Sequence, residues 1–287
     1  MRSFDYIPAR QATSAAIFAS PHSGRDYDAA FLRASVLDQV SLRSSEDAFV
    51  DLFLRAAPAS GAPVLLGAVP RAYVDYNRAA TELDPALIDG VARNSANPRV
   101  LSGLGVIPRV VAGGRAIYRG KLPMAEAEAR LARYWFPYHA QLSAIVDRQR
   151  ARFGRSILFD LHSMPHDAIA GSSLGKGQAP EIVLGDRFGA ACHPDISARV
   201  AEIFRASGLR VARNSPFAGA YVVQRYGTPS MGQHAIQIEI DRALYMDERT
   251  ITPRSDFTAF QALMDKIVVA LAALGQDMIP MGQTAAE

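Results

Sequence analysis

Cysteine is nearly absent from this chain, with Cys192 alone among 287 residues. One thiol can form neither an intrachain disulfide nor a thiolate metal cluster, so any metal site must be built from imidazole and carboxylate. The same scarcity points to a reducing, cytoplasmic compartment. The opening residues Met1-Arg2-Ser3-Phe4-Asp5-Tyr6 lack the apolar centre of a secretory signal. No uninterrupted apolar run approaches the roughly 18 residues of a membrane span, so a soluble protein without a membrane partner is expected. Dense basic runs are missing too. The formal charge of +3 and the pI of about 9.1 come from scattered arginines, a distribution that suits small anionic ligands and speaks against nucleic acid. Leu184-Gly185-Asp186-Arg187-Phe188-Gly189 carries neither of the glycine-rich phosphate-binding patterns, which removes nucleotide binding.

What is present is a globular composition, 49% hydrophobic and 21% charged, enough to bury a full core. Short apolar β-rich runs alternate with amphipathic helical ones, the signature of a layered α/β fold. Strands are expected near 15–19, 63–69, 157–161, 182–184, 210–212 and 235–240. Helices are expected from Met124 to about Phe153, from Asp195 to Ala206 behind Pro194 and before Gly208, and from Asp256 to Leu274 with a stop at Gly275. Between about Pro85 and Gly120 the periodicity fades, and the segment reads as an excursion over the sheet edge, either a lid or a decorative insertion. No repeat, low-complexity tract or linker divides the chain, so residues 1–287 are read as one domain.

Two histidines stand where strands stop. Ser14-Ala15-Ala16-Ile17-Phe18-Ala19 runs into Ser20-Pro21-His22-Ser23-Gly24, and Ser156-Ile157-Leu158-Phe159 runs into Asp160-Leu161-His162-Ser163-Met164-Pro165. In open α/β sheets ligands collect at the carboxyl ends of strands, so His22 and His162 are candidates for one shared site. Two neutral imidazoles and a carboxylate make a zinc site with a position left for water. Glu46 and Asp47 offer the acid, although Ser45 or Asp47 would equally serve as a helix N-cap before the run Phe49-Val50-Asp51-Leu52-Phe53-Leu54.

Arg71-Ala72-Tyr73-Val74-Asp75-Tyr76-Asn77-Arg78 is either a carboxylate-binding fork or a surface turn held by an Asp75–Arg78 ion pair. In His234-Ala235-Ile236-Gln237-Ile238-Glu239-Ile240, Gln237 and Glu239 share a face. A buried Glu239 would have a raised pKa and suit a general base; the alternative is an ion pair across the sheet to Arg242. The stretches Pro216–Tyr221 and Arg225–Pro229 form a glycine-punctuated loop, either a substrate clamp with Arg225 its candidate or an ordinary turn.

Taken in order, these motifs resemble the N-formylglutamate amidohydrolase (N-formylglutamate deformylase) family over nearly the whole chain, through Tyr245-Met246-Asp247-Glu248. The resemblance implies a three-layer α/β/α fold with a mixed central sheet, zinc-exopeptidase (phosphorylase/hydrolase)-like, as in zinc carboxypeptidases and aspartoacylases. It implies zinc-dependent hydrolysis of N-formyl-L-glutamate to formate and L-glutamate in histidine degradation; the alternatives are a zinc amidohydrolase acting on another N-acyl amino acid and a metal-free protein that binds an anionic amino acid. His22, Asp47 and His162 would be the ligands, Asp47 fitting the acidic position better than Glu46, and Glu239 the base. Asn77 and Arg78 match the segment that anchors a substrate carboxylate in the aspartoacylases. The second carboxylate would fall to one of Arg71, Arg109, Arg115 and Arg225, with the 85–120 excursion sharing in the grip. Two positions depart from the family: Ala48 follows Asp47 where an aromatic is common, and Tyr76 replaces a usual leucine.

Overall fold

The computed structural model describes residues 1–92, 97–170 and 179–277. Seven strands, β1 (Phe4–Ile7), β2 (Ala16–Ser20), β3 (Val64–Gly67), β4 (Ser156–Met164), β5 (Ile182–Gly185), β6 (Val211–Arg213) and β7 (Gln233–Asp241), form one sheet in the order β1-β3-β2-β4-β7-β5-β6. β3, β2, β4 and β7 run parallel to one another. β1 is antiparallel to β3, and β5 is antiparallel to β7 with β6 parallel to it. The sheet is therefore mixed, and its four central strands deliver their carboxyl ends to one edge. Strands covered on both faces read as continuous apolar runs, which is why β2 and β4 stand out in the sequence; every residue of both is buried.

The helices are α1 (Ala29–Ala34), α2 (Gln39–Arg43), α3 (Pro98–Leu101), α4 (Met124–Arg130), α5 (Phe136–Phe153), α6 (Pro194–Ala206), α7 (Tyr221–Tyr226) and α8 (Phe257–Asp277), with a small hairpin of β8 (Met246–Asp247) and β9 (Thr252–Pro253) before the last. Strand alternation sorts the core into two layers. Ile157, Phe159 and Leu161 of β4 and Ile236, Ile238 and Ile240 of β7 pack with Ile196, Val200 and Phe204 of α6 and Met264, Ile267 and Leu271 of α8. Leu158 and Ala235 on the opposite face pack with Tyr138, Leu142 and Ile145 of α5. This is the three-layer α/β/α arrangement expected. Further along that second face the same alternation brings Asp160 and His162 beside Gln237 and Glu239, in direct register.

Several sequence expectations need amending. The helix expected from Met124 to about Phe153 is interrupted by a π turn at Leu131–Trp135. Pro137 has no N–H to return to the Arg133 carbonyl, and the helix widens there. The run after Asp47 forms only a short 3-10 helix, Val50–Leu54, after Phe49 in the left-handed region. Gly275 does not stop α8, which continues to Asp277. Its glycine serves close approach: a Cβ there would fall 2.3 Å from Ser14 Oγ and 2.6 Å from Ala16 N. That helix is also long and apolar enough by composition to cross a membrane, with a mean hydropathy of 1.6 over Phe257–Gln276. In the structure it lies against the sheet as a core helix. Among the described residues, segment 85–120 is no mere excursion, because Leu87, Ile88, Val106, Ile107, Val111 and Ile117 are planted in the α5-side core. The edge strand β1 was not anticipated.

Candidate active site

β2 ends at Ser20, and the chain turns at once through Pro21 to His22. The turn is held close to the end of β3, since a Cβ on Gly24 would lie 2.3 Å from the Val69 carbonyl oxygen. His162 comes from β4, two residues before its end. Asp47 arrives on the loop after α2, where its N–H donates to the His22 carbonyl at 3.0 Å. All three side chains are buried.

Three donor atoms meet. His162 Nδ1 lies 3.1 Å from His22 Nδ1 and 3.0 Å from Asp47 Oδ2, and His22 Nδ1 lies 3.4 Å from the same oxygen. Ligand atoms placed 2.0–2.1 Å from a tetrahedral zinc are about 3.3 Å apart, so the triangle has the size a metal requires. Each imidazole is fixed from behind. His22 Nε2 donates to Asp75 Oδ1 at 2.7 Å, and His162 Nε2 donates to Asp160 Oδ2 at 2.9 Å. A carboxylate on the outer nitrogen selects the tautomer whose inner lone pair faces the metal position. Asp47 is treated likewise: its Oδ1 accepts from Ser163 Oγ at 3.1 Å and Arg242 Nη2 at 3.2 Å, leaving Oδ2 for the cluster. The residues present fit a divalent transition metal.

The open alternatives resolve in geometry. Glu46 turns away, its side chain accepting from Tyr27 Oη at 2.6 Å and Arg43 Nε at 3.1 Å. The 3-10 helix after Asp47 has no side-chain cap, so Asp47 is not an N-cap. The stretch 71–78 is no surface turn, for Asp75, Asn77 and Arg78 are buried. Asp75 pairs with Arg71 Nε at 3.0 Å rather than with Arg78, and accepts the Asn77 N–H at 2.8 Å. Burial alone would raise the Asp75 carboxyl, but Arg71, His22 and Arg78 hold it well below the usual carboxylate range.

Glu239 is the register partner of His162. Its Oε1 accepts from Gln237 Nε2 at 2.6 Å, and Gln237 Oε1 in turn accepts from Ala220 N at 3.0 Å and Asn77 Nδ2 at 3.3 Å. Arg242 does not pair with it, being engaged by Asp47 and by the Glu46 carbonyl at 2.7 Å. Burial raises the Glu239 carboxyl above its ordinary value, with His162 the chief opposing influence and Asp47 reinforcing the rise.

Above the cluster lies a cavity of about 530 Å³, lined by His22, His162, Glu239, Asn77 and Arg78 together with Arg71, Arg99 and Arg242. Leu104, Pro108 and Val110 to Gly114 bring part of segment 85–120 onto its wall. Asn77 Oδ1 accepts from Val222 N at 2.8 Å, and Arg78 donates through Nε to the Leu104 carbonyl at 2.9 Å. The backbone carrying them is clamped by the helix beneath, where His139 Nε2 donates to the Tyr76 carbonyl and Trp135 Nε1 to the Arg78 carbonyl, both at 2.9 Å.

Arg225 is a correction. It is exposed on α7, its guanidinium 5.8 Å from the Tyr226 ring centre, and it does not line the cavity. One helical turn aims it outward. Arg109 pairs with Asp84, and Arg115 bonds Ser41 and Ser44, so of the four arginines considered only Arg71 reaches the site. Sequence reasoning missed the outer-shell carboxylates Asp75 and Asp160, and Arg242 with Ser163. The period-two spacing of Asp160 and His162 was the signal available for one of them.

Residues 14–246 match the N-formylglutamate amidohydrolase family. An N-formylglutamate deformylase of Pseudomonas aeruginosa is 34% identical over 182 residues, 60% of this chain and 66% of that protein. A second, from Pseudomonas putida, is 27% identical over 91% of this chain and 93% of its own length. The crystal structure of an N-formylglutamate amidohydrolase from Ralstonia eutropha JMP134 superposes with a TM-score of 0.89 at 32% identity, covering 97% of this chain and 100% of that one. The gene product Atu2144 from Agrobacterium tumefaciens shares the fold, with a TM-score of 0.59 at 18% identity and 96% of each chain covered. With the family match spanning residues 14–246 and the Ralstonia enzyme superposing over nearly the whole chain, the chain belongs to the N-formylglutamate amidohydrolase family.

Proposed function

We propose that the protein is a zinc-dependent deformylase that hydrolyses N-formyl-L-glutamate to formate and L-glutamate, with His22, Asp47 and His162 holding the metal. The observation that carries this reading is the His-Asp-His triangle, each imidazole backed by its own carboxylate, beneath a cavity lined by Glu239 and arginines. When bound, zinc supplies Lewis-acid polarisation and brings the pKa of a water toward about 7. Other divalent transition metals suit the same donors, and metal analysis of the purified protein identifies the ion.

Glu239 acts as the base. Gln237 occupies Oε1, so Oε2 takes the proton of the attacking water and returns it to the departing amine. Arg71, gripped at Nε by Asp75, keeps two terminal nitrogens without a hydrogen-bond partner among the described residues. They stabilise negative charge growing on the formyl oxygen. Asn77 and Arg78 anchor a substrate carboxylate. Leu104, Pro108 and Val110 to Gly114, from segment 85–120, wall the bound substrate on one side. A cytoplasmic location belongs to the same proposal, supported by a lone buried thiol, which burial pushes up to about 12.

The test is formate release from N-formyl-L-glutamate before and after chelator treatment, with N-acetyl-L-glutamate and N-formyl-L-methionine alongside. Chelator-sensitive activity confined to the first substrate supports the reading. A cavity of about 530 Å³ also admits a longer acyl group, so hydrolysis of the acetyl compound alone would move the assignment to another N-acyl amino acid.

A further inference from the structure

The structure assigns to Arg99 the recognition of the substrate's second carboxylate, an inference that rests on the deformylase reading and names the residue that makes the site selective for a dicarboxylate. Four guanidinium groups line the cavity: Arg71, Arg78, Arg99 and Arg242. Two are already neutralised within the protein. Arg71 pairs with Asp75 at 3.0 Å, and Arg242 pairs with Asp47 at 3.2 Å while also bonding the Ser44 and Glu46 carbonyls and Ser163.

The other two form no ion pair among the described residues, although the charges of Asp75 and Glu82 act on Arg78 from a distance. Among the described residues, Arg78 bonds only the carbonyl oxygens of Asn77 and Leu104. The Arg99 guanidinium has no hydrogen-bond or ion-pair partner among the described residues. Glu82, an acid on this side, has its two oxygens taken by Ala79 N at 2.9 Å and Asn97 Nδ2 at 2.8 Å. A cavity with two cations outside any described ion pair matches a ligand with two carboxylates.

The backbone that carries Arg99 is tied to the Arg78 side chain. Leu104 bridges them: its carbonyl accepts from Arg78 Nε at 2.9 Å, and its N–H donates to the Arg99 carbonyl at 2.8 Å. Asn97 fixes the other end of this short segment, its side chain accepting the Arg99 N–H at 3.0 Å. The arrangement places like charges near one another. Arg78 is pushed below its ordinary value, first by burial, with Asp75 and Glu82 opposing the fall and Arg71 and Arg99 adding to it. Repulsion of this kind is relieved when an anion sits between the groups. Arg78 is buried and Arg99 exposed at the rim, where the main cavity meets a smaller one of about 360 Å³. The buried arginine therefore takes the carboxylate nearer the reacting amide, and the rim arginine takes the one at the end of the side chain.

The experiment compares wild type, Arg99→Gln and Arg99→Lys on N-formyl-L-glutamate and N-formyl-L-glutamine, which differ only in the terminal carboxylate. Arg99→Gln is expected to lower kcat/KM for N-formyl-L-glutamate by about ten- to a hundredfold, through KM, as loss of a charged hydrogen-bonding partner predicts. It is expected to leave N-formyl-L-glutamine unchanged, with Arg99→Lys in between for the acid. Equal effects on both substrates, or no effect on either, overturn the assignment. Wild-type protein inactive on both substrates would instead fell the deformylase reading, so the two failures are distinct.

Discussion

Asp160 stands two residues before His162 on β4, and its Oδ2 accepts the imidazole Nε2–H at 2.9 Å. The pleat makes this contact possible, since residues i and i+2 share a face of the sheet. The ring is thereby locked with Nδ1 toward His22 and Asp47 before any metal arrives.

Asp160→Asn removes the charge behind His162 while keeping its shape. Metal affinity should fall about ten- to a hundredfold, the usual effect of losing such a partner. Competition against a chelator of known strength reads it directly. Affinity equal to wild type would mean the ring is held by packing alone.

Glu239→Gln should lower kcat by about a hundred- to ten-thousandfold, the scale of a lost general base. Metal content should stay at the wild-type level, because Glu239 is not among the three donors. Turnover near wild type would remove Glu239 from proton transfer.

Gly275→Ala opposes two effects. Alanine gains up to about 1 kcal/mol over glycine within a helix. Against this, the new methyl would meet Ser14 Oγ at 2.3 Å and the Ala16 backbone nitrogen at 2.6 Å. Overpacking costs about 1–3 kcal/mol, and backbone cannot swing aside, so the clash should win. Urea unfolding should show net destabilisation, with kcat per folded molecule unchanged; a stabilised variant would contradict the close packing described.

His139 carries a pH dependence of stability. Burial lowers it to about 4, so the folded protein keeps it neutral where an unfolded chain, at about 6.5, would protonate it. Its contribution is complete above about 6.5 and is lost as the pH falls toward 4, at about 1.4 kcal/mol per pH unit at most. Unfolding midpoints at pH 7 and pH 4.5 should differ less in His139→Gln than in wild type. An identical slope in both would place the acid sensitivity elsewhere.

The residues at strand ends were the legible part of the site. His22 and His162 each follow an apolar run, and Glu239 interrupts one, so a one-dimensional pattern marks all three. Asp75 and Arg242 gave no such mark, because their roles exist only once loops distant in sequence fold against β2 and β4. Arg225 misled for the opposite reason: its neighbours looked functional, but direction on a one-turn-and-a-half helix is decided by packing. The edge strand β1 is four residues long and only partly buried, too short for alternation to register. The core residues described in 85–120 come largely as adjacent pairs, Leu87 with Ile88 and Val106 with Ile107, a spacing that fits neither the strand nor the helix period.

The common direction of β2, β3, β4 and β7 has a practical corollary for handling the enzyme. The cavity opens at their carboxyl ends, so the last turn of α5 at Arg152 and its capping Gly154, exposed before the amino end of β4, lie at the opposite end of the sheet from it. Coupling to a solid support through that turn would orient the immobilised molecules with their substrate entrance toward the bulk liquid.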